Sequence, residues 1–309
     1  MLRKSCTIRC FITILFSLFS LSYICAAQDE ALRLDGPAPY NPETDPDIDM
    51  YMSNWKDSVP VHTHGSLIER EVLSKGNPSK PERKGAVLKY VNRFTHATLP
   101  PHASTQEVTL SGEQEIFYVL SGKGTLSSDK TTAELYSGMF VLIPDKCTFT
   151  MKNTGGEPLT MYLIVEPIVR DDFVPSEDIV VVDENTTPIL TSRGHWTMII
   201  KQAFNIEREL SIIQYINTIT FDPMTLGQPH AHLEGYEEVW TMIEGTSLLF
   251  LGKELRWQTP GTAYLCPPYG TYTHSNINHT DKPIKLLYFA VRDDWTERGR
   301  KDGIKRSRD

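Results

Sequence analysis

The sequence contains few cysteines and few long hydrophobic runs. Only five of its 309 residues are cysteines, and three of these lie before residue 28. The remaining two, Cys147 and Cys266, are too few for a disulfide framework, and we expect two buried free thiols. The N-terminal apolar run, FITILFSLFSLSYI, is shorter than the roughly 20 residues that span a bilayer. No later stretch is long and apolar enough to do so, which argues against a membrane protein.

Basic residues are also outnumbered. Lys and Arg total 31 against 39 Asp and Glu, for a net charge of −8 at pH 7. Since nucleic acid and anionic membrane surfaces attract basic proteins, neither is expected as a partner. The C-terminal cluster RGRKDGIKRSRD is basic but short and free of aromatic residues. Residues 298–309 are therefore predicted to form a solvated tail.

Residues 1–27 have the layout of a secretory signal peptide. A basic start precedes the apolar run, and small residues lead to a cleavage position after Ala27. This predicts a periplasmic or secreted protein. An uncleaved anchor and a lipoprotein attached through Cys25 are the alternatives. The apolar run is short for the first, and the three residues before Cys25 suit the second poorly.

The rest of the chain is rich in strand signals. Residues 28–84 are rich in Pro, Asp and Lys and show no apolar period, so they are predicted to form an irregular arm. From residue 85 onward, segments such as AVLKYVNRF, QEIFYVLSG and GMFVLIP are β-branched, aromatic and punctuated by Gly, Pro and Asn. These features predict strands, and helical periodicity is scarce. The fold is predicted to be all-β.

The two halves of the chain repeat one another. PHAS at 101–104 is followed by EIFYVLSG, GMFVLIP and VRDDF, and PHAH at 229–232 is followed by EVWTMIEG, GTAYLCP and VRDDW. In both halves, 16 positions separate the glycine that closes the second block from the glycine that opens the third. Such agreement indicates a duplicated domain. We place the copies at residues 85–176 and 177–297.

The second copy resembles the cupins. Its motif residues are His230, His232, Glu238, Gly245, Gly261, Pro267, Gly270, His274 and Asn278. Two of the gaps are slightly longer than is usual in cupins, but both fall in turns, which tolerate insertion. The resemblance covers roughly residues 85–297. It implies a bicupin, with two tandem antiparallel jelly-roll barrels and a metal inside.

The residue types support a metal site independently of the resemblance. Residues i and i+2 of a strand face the same way, so His230 and His232 can both point into the barrel. Glu238 follows after a turn, and Trp240 shares its parity on the next strand. His274 completes a set of three nitrogens and one carboxylate. This set suits Mn, Fe, Ni, Co or Zn, and we predict one divalent transition metal per chain.

The first copy keeps only part of the motif. His102 stands at the position of the first histidine, Ser104 at that of the second and Glu115 at that of the glutamate, while Phe149 stands near the last histidine. We predict a metal-free barrel in which His102 and Glu115 bond to each other or to water. Its role would be to pack, to shape the mouth of the site or to support a homodimer.

An earlier histidine pair occurs in VHTHGSLIERE. His62, His64 and Glu69 have types that bind metals, but no apolar strand is apparent after the glutamate. We therefore predict no metal site there.

The reaction is less well defined because one cupin site serves unrelated chemistries. An exported metal bicupin suggests a small oxygen-rich substrate such as a sugar acid, whose enolate a metal would stabilise in an isomerase or lyase. Glu237, Tyr264 and Tyr272 are the candidate acids or bases. The alternatives are a dioxygenase or decarboxylase, and a bicupin that binds a ligand without turnover.

Other side chains near the second site could contact a substrate. Arg256 and Arg292 could hold a carboxylate, although Arg292 belongs to the VRDD sequence that both copies share, which favours a structural role. Aromatic side chains could stack on the substrate or belong to the core: Tyr236, Trp240, Tyr264, Tyr269 and Tyr272.

Overall fold

A computed structural model of the chain describes residues 41, 43, 45–190, 197–232, 234–268 and 272–293. The predicted signal peptide at 1–27, the first part of the predicted arm and the tail at 298–309 lie outside these residues, as do Tyr269 and Gly270. Cleavage and export therefore stay predictions. Across the described residues, no helix has both the length and the apolar character needed to cross a membrane.

Nearly all regular structure is strand, as predicted. Two short 3-10 helices occupy Ile48–Tyr51 and Trp55–Asp57. The strands are β1 (Met52–Asn54), β2 (Val61–Thr63), β3 (Leu67–Lys75), β4 (Ala86–Leu88), β5 (Arg93–Leu99), β6 (Val108–Thr109), β7 (Glu113–Ser121), β8 (Gly124–Ser128), β9 (Thr132–Leu135), β10 (Met139–Ile143), β11 (Thr148–Asn153), β12 (Leu159–Pro167), β13 (Val180–Asp183), β14 (Met198–Asn205), β15 (Ile213–Phe221), β16 (Thr225–Leu226), β17 (His230–Ala231), β18 (Tyr236–Glu244), β19 (Ser247–Leu251), β20 (Glu254–Gln258), β21 (Thr262–Leu265), β22 (Thr273–Asn278) and β23 (Ile284–Arg292).

The first barrel is built from two facing sheets. The larger has the order β13-β10-β7-β12-β5-β3-β2, with β4 beside β3, and the smaller has the order β6-β11-β8-β9. Phe117 and Val119 of β7 pack in the core with Phe149 and Met151 of β11. Because successive side chains of a strand alternate between its faces, these positions point inward.

The second barrel repeats this arrangement. Its larger sheet has the order β1-β21-β18-β23-β15-β14, and its smaller sheet has the order β16-β22-β19-β20, with β17 beside β22. The three-strand runs β7–β12–β5 and β18–β23–β15 are therefore equivalent. The prediction of two tandem antiparallel barrels is confirmed.

The repeated glycines have a common conformational reason. Gly122 and Gly138 in the first barrel, and Gly245 and Gly261 in the second, have φ between +81° and +92°. Residues other than glycine rarely adopt such angles, because their Cβ atom clashes with the backbone. At Gly122, an added Cβ would also lie 2.6 Å from the carbonyl oxygen of Pro158. The turn chemistry thus produces the periodic spacing seen in the sequence.

The larger sheets of the two barrels pack back to back. Ile116 and Tyr118 of β7 face outward and join one hydrophobic cluster with Val239 of β18. The rings of Phe94 and Phe289 meet edge to face there, with their centres 5.2 Å apart. The barrels therefore share an apolar interface in addition to their separate interiors.

Each larger sheet also gains an edge strand from the segment that precedes the other barrel. β1 pairs with β21 of the second barrel, with Met52 opposite Tyr264. β13 pairs with β10 of the first barrel, with Val180 opposite Leu142. Two short strands therefore lie across the domain boundaries expected from the sequence, and they tie the barrels together.

The predicted arm is more regular than its composition indicates. β1, β2 and β3 all lie within residues 28–84, and β3 alone has nine residues. Glu69 of β3 is only 1% exposed and accepts hydrogen bonds from Thr63 and Thr95. A buried glutamate interrupts the alternation of polar and apolar residues, which explains why the pattern did not indicate a strand.

Candidate metal centre

The four predicted ligands lie together near the start of β18. His230 on β17 is directly opposite His274 on β22. His232 follows β17, and Glu238 is on β18. His274 and Glu238 are buried, while His230 and His232 are half-buried. The cluster therefore extends from the barrel interior toward its mouth.

The distances between the ligand atoms suit a metal ion. Nε2 of His274 lies 3.3 Å from Nε2 of His230, from Nε2 of His232 and from Oε1 of Glu238. His232 Nε2 is 3.0 Å from Glu238 Oε2. Metal bonds of about 2.0–2.2 Å separate adjacent ligand atoms by about 3–3.5 Å. Among the described residues, this is the one group of His, Cys, Asp or Glu arranged so.

Hydrogen bonds orient two of the imidazoles. The Nδ1 of His230 is 2.8 Å from the carbonyl oxygen of Gln228, which assigns the proton to Nδ1. The Nδ1 of His274 donates to the Tyr264 hydroxyl at 2.9 Å, and that hydroxyl donates to Asn276 Oδ1 at 2.9 Å. Both rings thus direct an Nε2 lone pair toward the centre, as metal-binding histidines do.

Glu238 is held in its ionised form. Its oxygens accept hydrogen bonds from Trp240 Nε1 at 2.5 Å and from the Tyr288 hydroxyl at 3.2 Å. Burial raises its pKa, but the hydrogen bond with His232 and the adjacent histidines outweigh burial and lower this pKa to about 2. Burial lowers the pKa of His274 to about 3. Both side chains therefore have the deprotonated form that a metal requires at neutral pH.

A cavity of about 380 Å³ adjoins the ligands. Seven of its twelve described lining side chains are apolar or aromatic and five are polar, and small-molecule sites combine both kinds of surface. The cavity is lined by Met198, Ile200, Tyr215, Asn217, Ile219, Gln228, His230, His232, Tyr236, Glu238, Trp240 and Tyr288. Trp240 faces this interior, as its parity predicts.

Two of the predicted acids or bases are outside the cavity lining. Tyr264 is fully buried behind His274, and burial raises its pKa well above the usual value. Tyr272 donates its hydroxyl to Asp45 at 3.0 Å, where Lys253 also binds. Tyr264 thus orients one of the ligands and Tyr272 fastens the arm, and a catalytic role for either stays a prediction.

The third candidate, Glu237, faces away from the cavity. Its carboxylate is 1% exposed and accepts the backbone N–H groups of Lys89, Tyr90 and Val91 at 2.5, 2.9 and 3.1 Å. The prediction that Glu237 acts on substrate is therefore not supported. Its neighbour on β18 faces inward, and strand alternation turns Glu237 to the interface between barrels.

A second buried glutamate performs the reciprocal task. Glu166 on β12 accepts the backbone N–H groups of Ser211, Ile212 and Ile213, each at 3.0 Å. Glu237 holds the segment before β5, and Glu166 holds the segment that leads into β15. One carboxylate from each barrel therefore fixes the backbone segment through which the chain enters the other barrel.

Strand pairing in the first barrel corrects the alignment of the repeat. Phe149 is opposite Val108, in the way that the two ligand histidines face each other in the second barrel. Val108 therefore occupies the position of the first ligand, and His102 is exposed in a turn with a φ of +61°. The motif histidine precedes the glutamate by 13 positions in this copy and by 8 in the other. The longer connection displaces His102, so its predicted bond with Glu115 is wrong.

Glu115 is bound by basic groups instead. His64 Nε2 lies 3.0 Å from its Oε2, and Arg93 Nη2 lies 2.9 Å from its Oε1. Arg93 Nε is also 3.4 Å from Glu69. The positive charge that a metal would supply thus comes from a guanidinium. The early histidine pair contributes His64 to this network, a role that its spacing did not indicate.

The VRDD sequences are not equivalent in the fold. Arg170 lies beyond the end of β12, whereas Arg292 is on β23 opposite Tyr236. The Arg292 guanidinium is 5.5 Å from the centre of the Tyr236 ring, beside the cavity. Arg256 binds Asp49 at 2.8 Å and is directed toward the arm. The structural role inferred for Arg292 from the repeat therefore loses its basis.

Among the polar residues of the cavity that sequence reasoning did not identify are Tyr215, Asn217 and Tyr288. They lie on β15 and β23, for which no motif marks the inward face. Alternation along these strands could have assigned them to the same face, but the register between strands was needed to place them beside Glu238.

Comparisons with known proteins agree with this architecture. Residues 95–165 match the family model of the cupin domain, and no curated protein matches the chain. A putative glyoxylate-induced protein from Pseudomonas aeruginosa has a TM-score of 0.61 at 14% identity, over 75% of this chain and 83% of that one. An oxalate decarboxylase from Bacillus subtilis gives 0.57 at 14%, over 85% and 87%. Vicilin from Corylus avellana gives 0.56 at 11%, over 78% and 85%.

The chain therefore has the cupin fold in two tandem copies, the bicupin arrangement. The family match lies in the first barrel, whereas the four-ligand site lies in the second. Identities this low describe a common fold and leave activity to be argued from the site.

Proposed function

We propose that the protein is an exported, metal-dependent bicupin enzyme that acts on a small oxygen-rich substrate such as a sugar acid, with isomerase or lyase chemistry. The observation that carries this proposal is the convergence of three imidazoles and one carboxylate beside a cavity of about 380 Å³. In the first barrel, the corresponding glutamate, Glu115, forms an ion pair with Arg93. We therefore assign the chemistry to the second barrel alone.

The donor set suits Mn, Fe, Ni, Co or Zn. A bound divalent ion would supply Lewis-acid stabilisation to a carboxylate or to neighbouring substrate oxygens. The chain itself contributes Tyr215, Tyr236 and Tyr288 to the cavity. Among the described lining residues, Glu238 is the one acid, and it belongs to the ligand set. The hydroxyls of Tyr215 and Tyr236 are therefore candidates to contact substrate beside the ligands, whereas that of Tyr288 already donates to Glu238.

A decarboxylase is the second candidate. The same set of three imidazoles and one carboxylate could serve it, and the fold is shared with oxalate decarboxylase over 85% of this chain. Met198, Ile200 and Ile219, however, give the cavity an apolar wall. Such a wall suits a substrate with a longer carbon skeleton than oxalate, so a larger carboxylate is preferred.

Metal content tests the site first. His230→Ala should lose the single equivalent of metal that the wild-type protein carries, because one of four ligands is gone. His102→Ala is the matched control, since the same Pro-His-Ala sequence there presents an exposed histidine. Elemental analysis that finds two metals per chain, or full occupancy in His230→Ala, would contradict the assignment.

Turnover tests the reaction class. The metal-loaded protein is incubated with aldonic acids, uronic acids and oxalate, while products, oxygen uptake and carbon dioxide are followed. Conversion of a sugar acid without oxygen uptake supports the proposal, and carbon dioxide release from oxalate supports the second candidate. Binding without any conversion would leave a non-catalytic bicupin.

Export is tested by N-terminal sequencing of the mature protein, which should begin at Gln28.

A further inference from the structure

The metal-site cavity contains a buried hydrogen-bond acceptor that the proposed chemistry does not use. Asn217 on β15 lines the cavity and is only 2% exposed. Its amide oxygen has no hydrogen-bond partner within the part of the chain that the structure describes. Leaving such a group unpaired destabilises the folded protein, because the group loses its hydrogen bond to water. Native proteins rarely retain such groups without a reason.

The strand register locates this acceptor relative to the ligands. Asn217 is opposite Tyr288 on β23, and Tyr288 is opposite Trp240 on β18. Tyr288 and Trp240 both donate hydrogen bonds to Glu238. Asn217 therefore lies one inward-facing position further along the barrel than Glu238. A molecule that extends from the ligands into the cavity would pass it.

The described side chains that line the cavity with Asn217 include no lysine or arginine. Ile219 on its own strand and Ile200 on β14 line the same wall. A second carboxylate would have no cationic partner at this level, whereas a neutral donor would satisfy the amide oxygen.

We propose that Asn217 determines substrate specificity by accepting a hydrogen bond from a hydroxyl or N–H group on the neutral portion of a monocarboxylate. The inference rests on the proposed function, because it places the carboxylate end of that molecule at the metal ligands. It narrows the substrate class to acids whose remaining groups are uncharged donors.

One structural alternative has to be separated by the test. Gln202 on β14 is opposite Asn217, and its amide oxygen also has no partner among the described residues. Rotation of either amide by 180° could let the two side chains bond to each other. Asn217 would then be a structural residue.

The test uses the full-length Mn²⁺-loaded protein and calorimetric titration with two six-carbon acids, D-gluconate and hexanoate. Asn217→Leu keeps a similar volume and removes the acceptor. We expect it to weaken gluconate binding about tenfold, the factor of one lost hydrogen bond, and to leave hexanoate binding unchanged. Thr241→Val is the matched control. Thr241 is also fully buried with an unpaired hydroxyl among the described residues, but it does not line the cavity.

Three outcomes would overturn the inference. One is an equal effect of Asn217→Leu on both acids, or none on either. Another is a decrease in the melting temperature of metal-free Asn217→Leu that does not add to the decrease caused by Gln202→Leu when both changes are combined. Such non-additivity would show that the two amides bond to each other. The third, no metal-dependent binding of either acid by the wild-type protein, would also overturn the proposed function. The inference is supported if Asn217→Leu is at least as stable as the wild-type protein and selectively loses affinity for gluconate.

Discussion

Glutamine at position 237 would separate a structural role for this residue from a catalytic one. In the wild-type protein, Glu237 Oε2 accepts the N–H groups of Lys89 and Tyr90, and Oε1 accepts that of Val91. Glutamine has the same shape but replaces one oxygen with an NH₂ donor. Whichever way its amide is oriented, at least one backbone N–H then faces another donor.

The expected loss of stability follows from these three bonds. Hydrogen bonds to a charged group contribute about 1.5–3 kcal/mol each, and an unsatisfied buried donor costs about 1–3 kcal/mol. Glu237→Gln keeps some of the bonds in weaker form, so we expect the free energy of unfolding to fall by about 2–4 kcal/mol. Glu166→Gln is the matched control because Glu166 also accepts three backbone N–H groups.

Urea denaturation, elemental analysis and turnover below the melting temperature provide the measurements. Both variants should lose comparable stability, keep one metal per chain and retain turnover on whichever substrate is found. Unchanged stability of Glu237→Gln with abolished turnover, while Glu166→Gln remains active, would refute this reasoning. Glu237 would then have to reach the substrate.

Three further outcomes are expected. Tyr264→Phe removes the acceptor for His274 Nδ1–H and should weaken metal affinity about 10–100-fold in a chelator competition, whereas Tyr272→Phe should not. Chelation should lower the melting temperature but leave the β circular dichroism spectrum intact, because both barrels have apolar cores without the metal; a random-coil spectrum would contradict this. Burial lowers the pKa of His96, which stacks on Trp55, to about 4. The unfolded chain therefore binds its proton more readily, and stability should fall by up to about 3 kcal/mol as pH drops from about 6.5 to 4; His96→Phe should reduce this loss in urea titrations at several pH values.

The ligand set could be found from the sequence because the spacing between its members is a short-range feature of the chain. The two motif histidines are separated by one residue, and strand alternation places both on one face. Six residues lie between Glu238 and Gly245, as six lie between Glu115 and its own glycine, and this spacing selects Glu238 over Glu237. His274 follows from the motif's later part. Short-range spacing was sufficient because each of these positions belongs to a unit of turns and strands that the chain repeats.

Roles that depend on contacts between distant segments could not be obtained in this way. Glu237 holds backbone groups almost 150 residues earlier in the chain, and His64 approaches Glu115 from the predicted arm. No local pattern encodes either pair.

The sequence by itself determined the duplicated β architecture and the four candidate metal ligands, since alternation and turn glycines act over a few residues. The tertiary structure decided which barrel face each glutamate occupies and which histidine enters the first barrel. It also brought Asn217 into the cavity through the register of β15 with β23. The physical reason is that the pairing of distant strands and the back-to-back packing form only when two sheets are buried against each other, and the alternation within one strand fixes its faces but not which strand lies beside it.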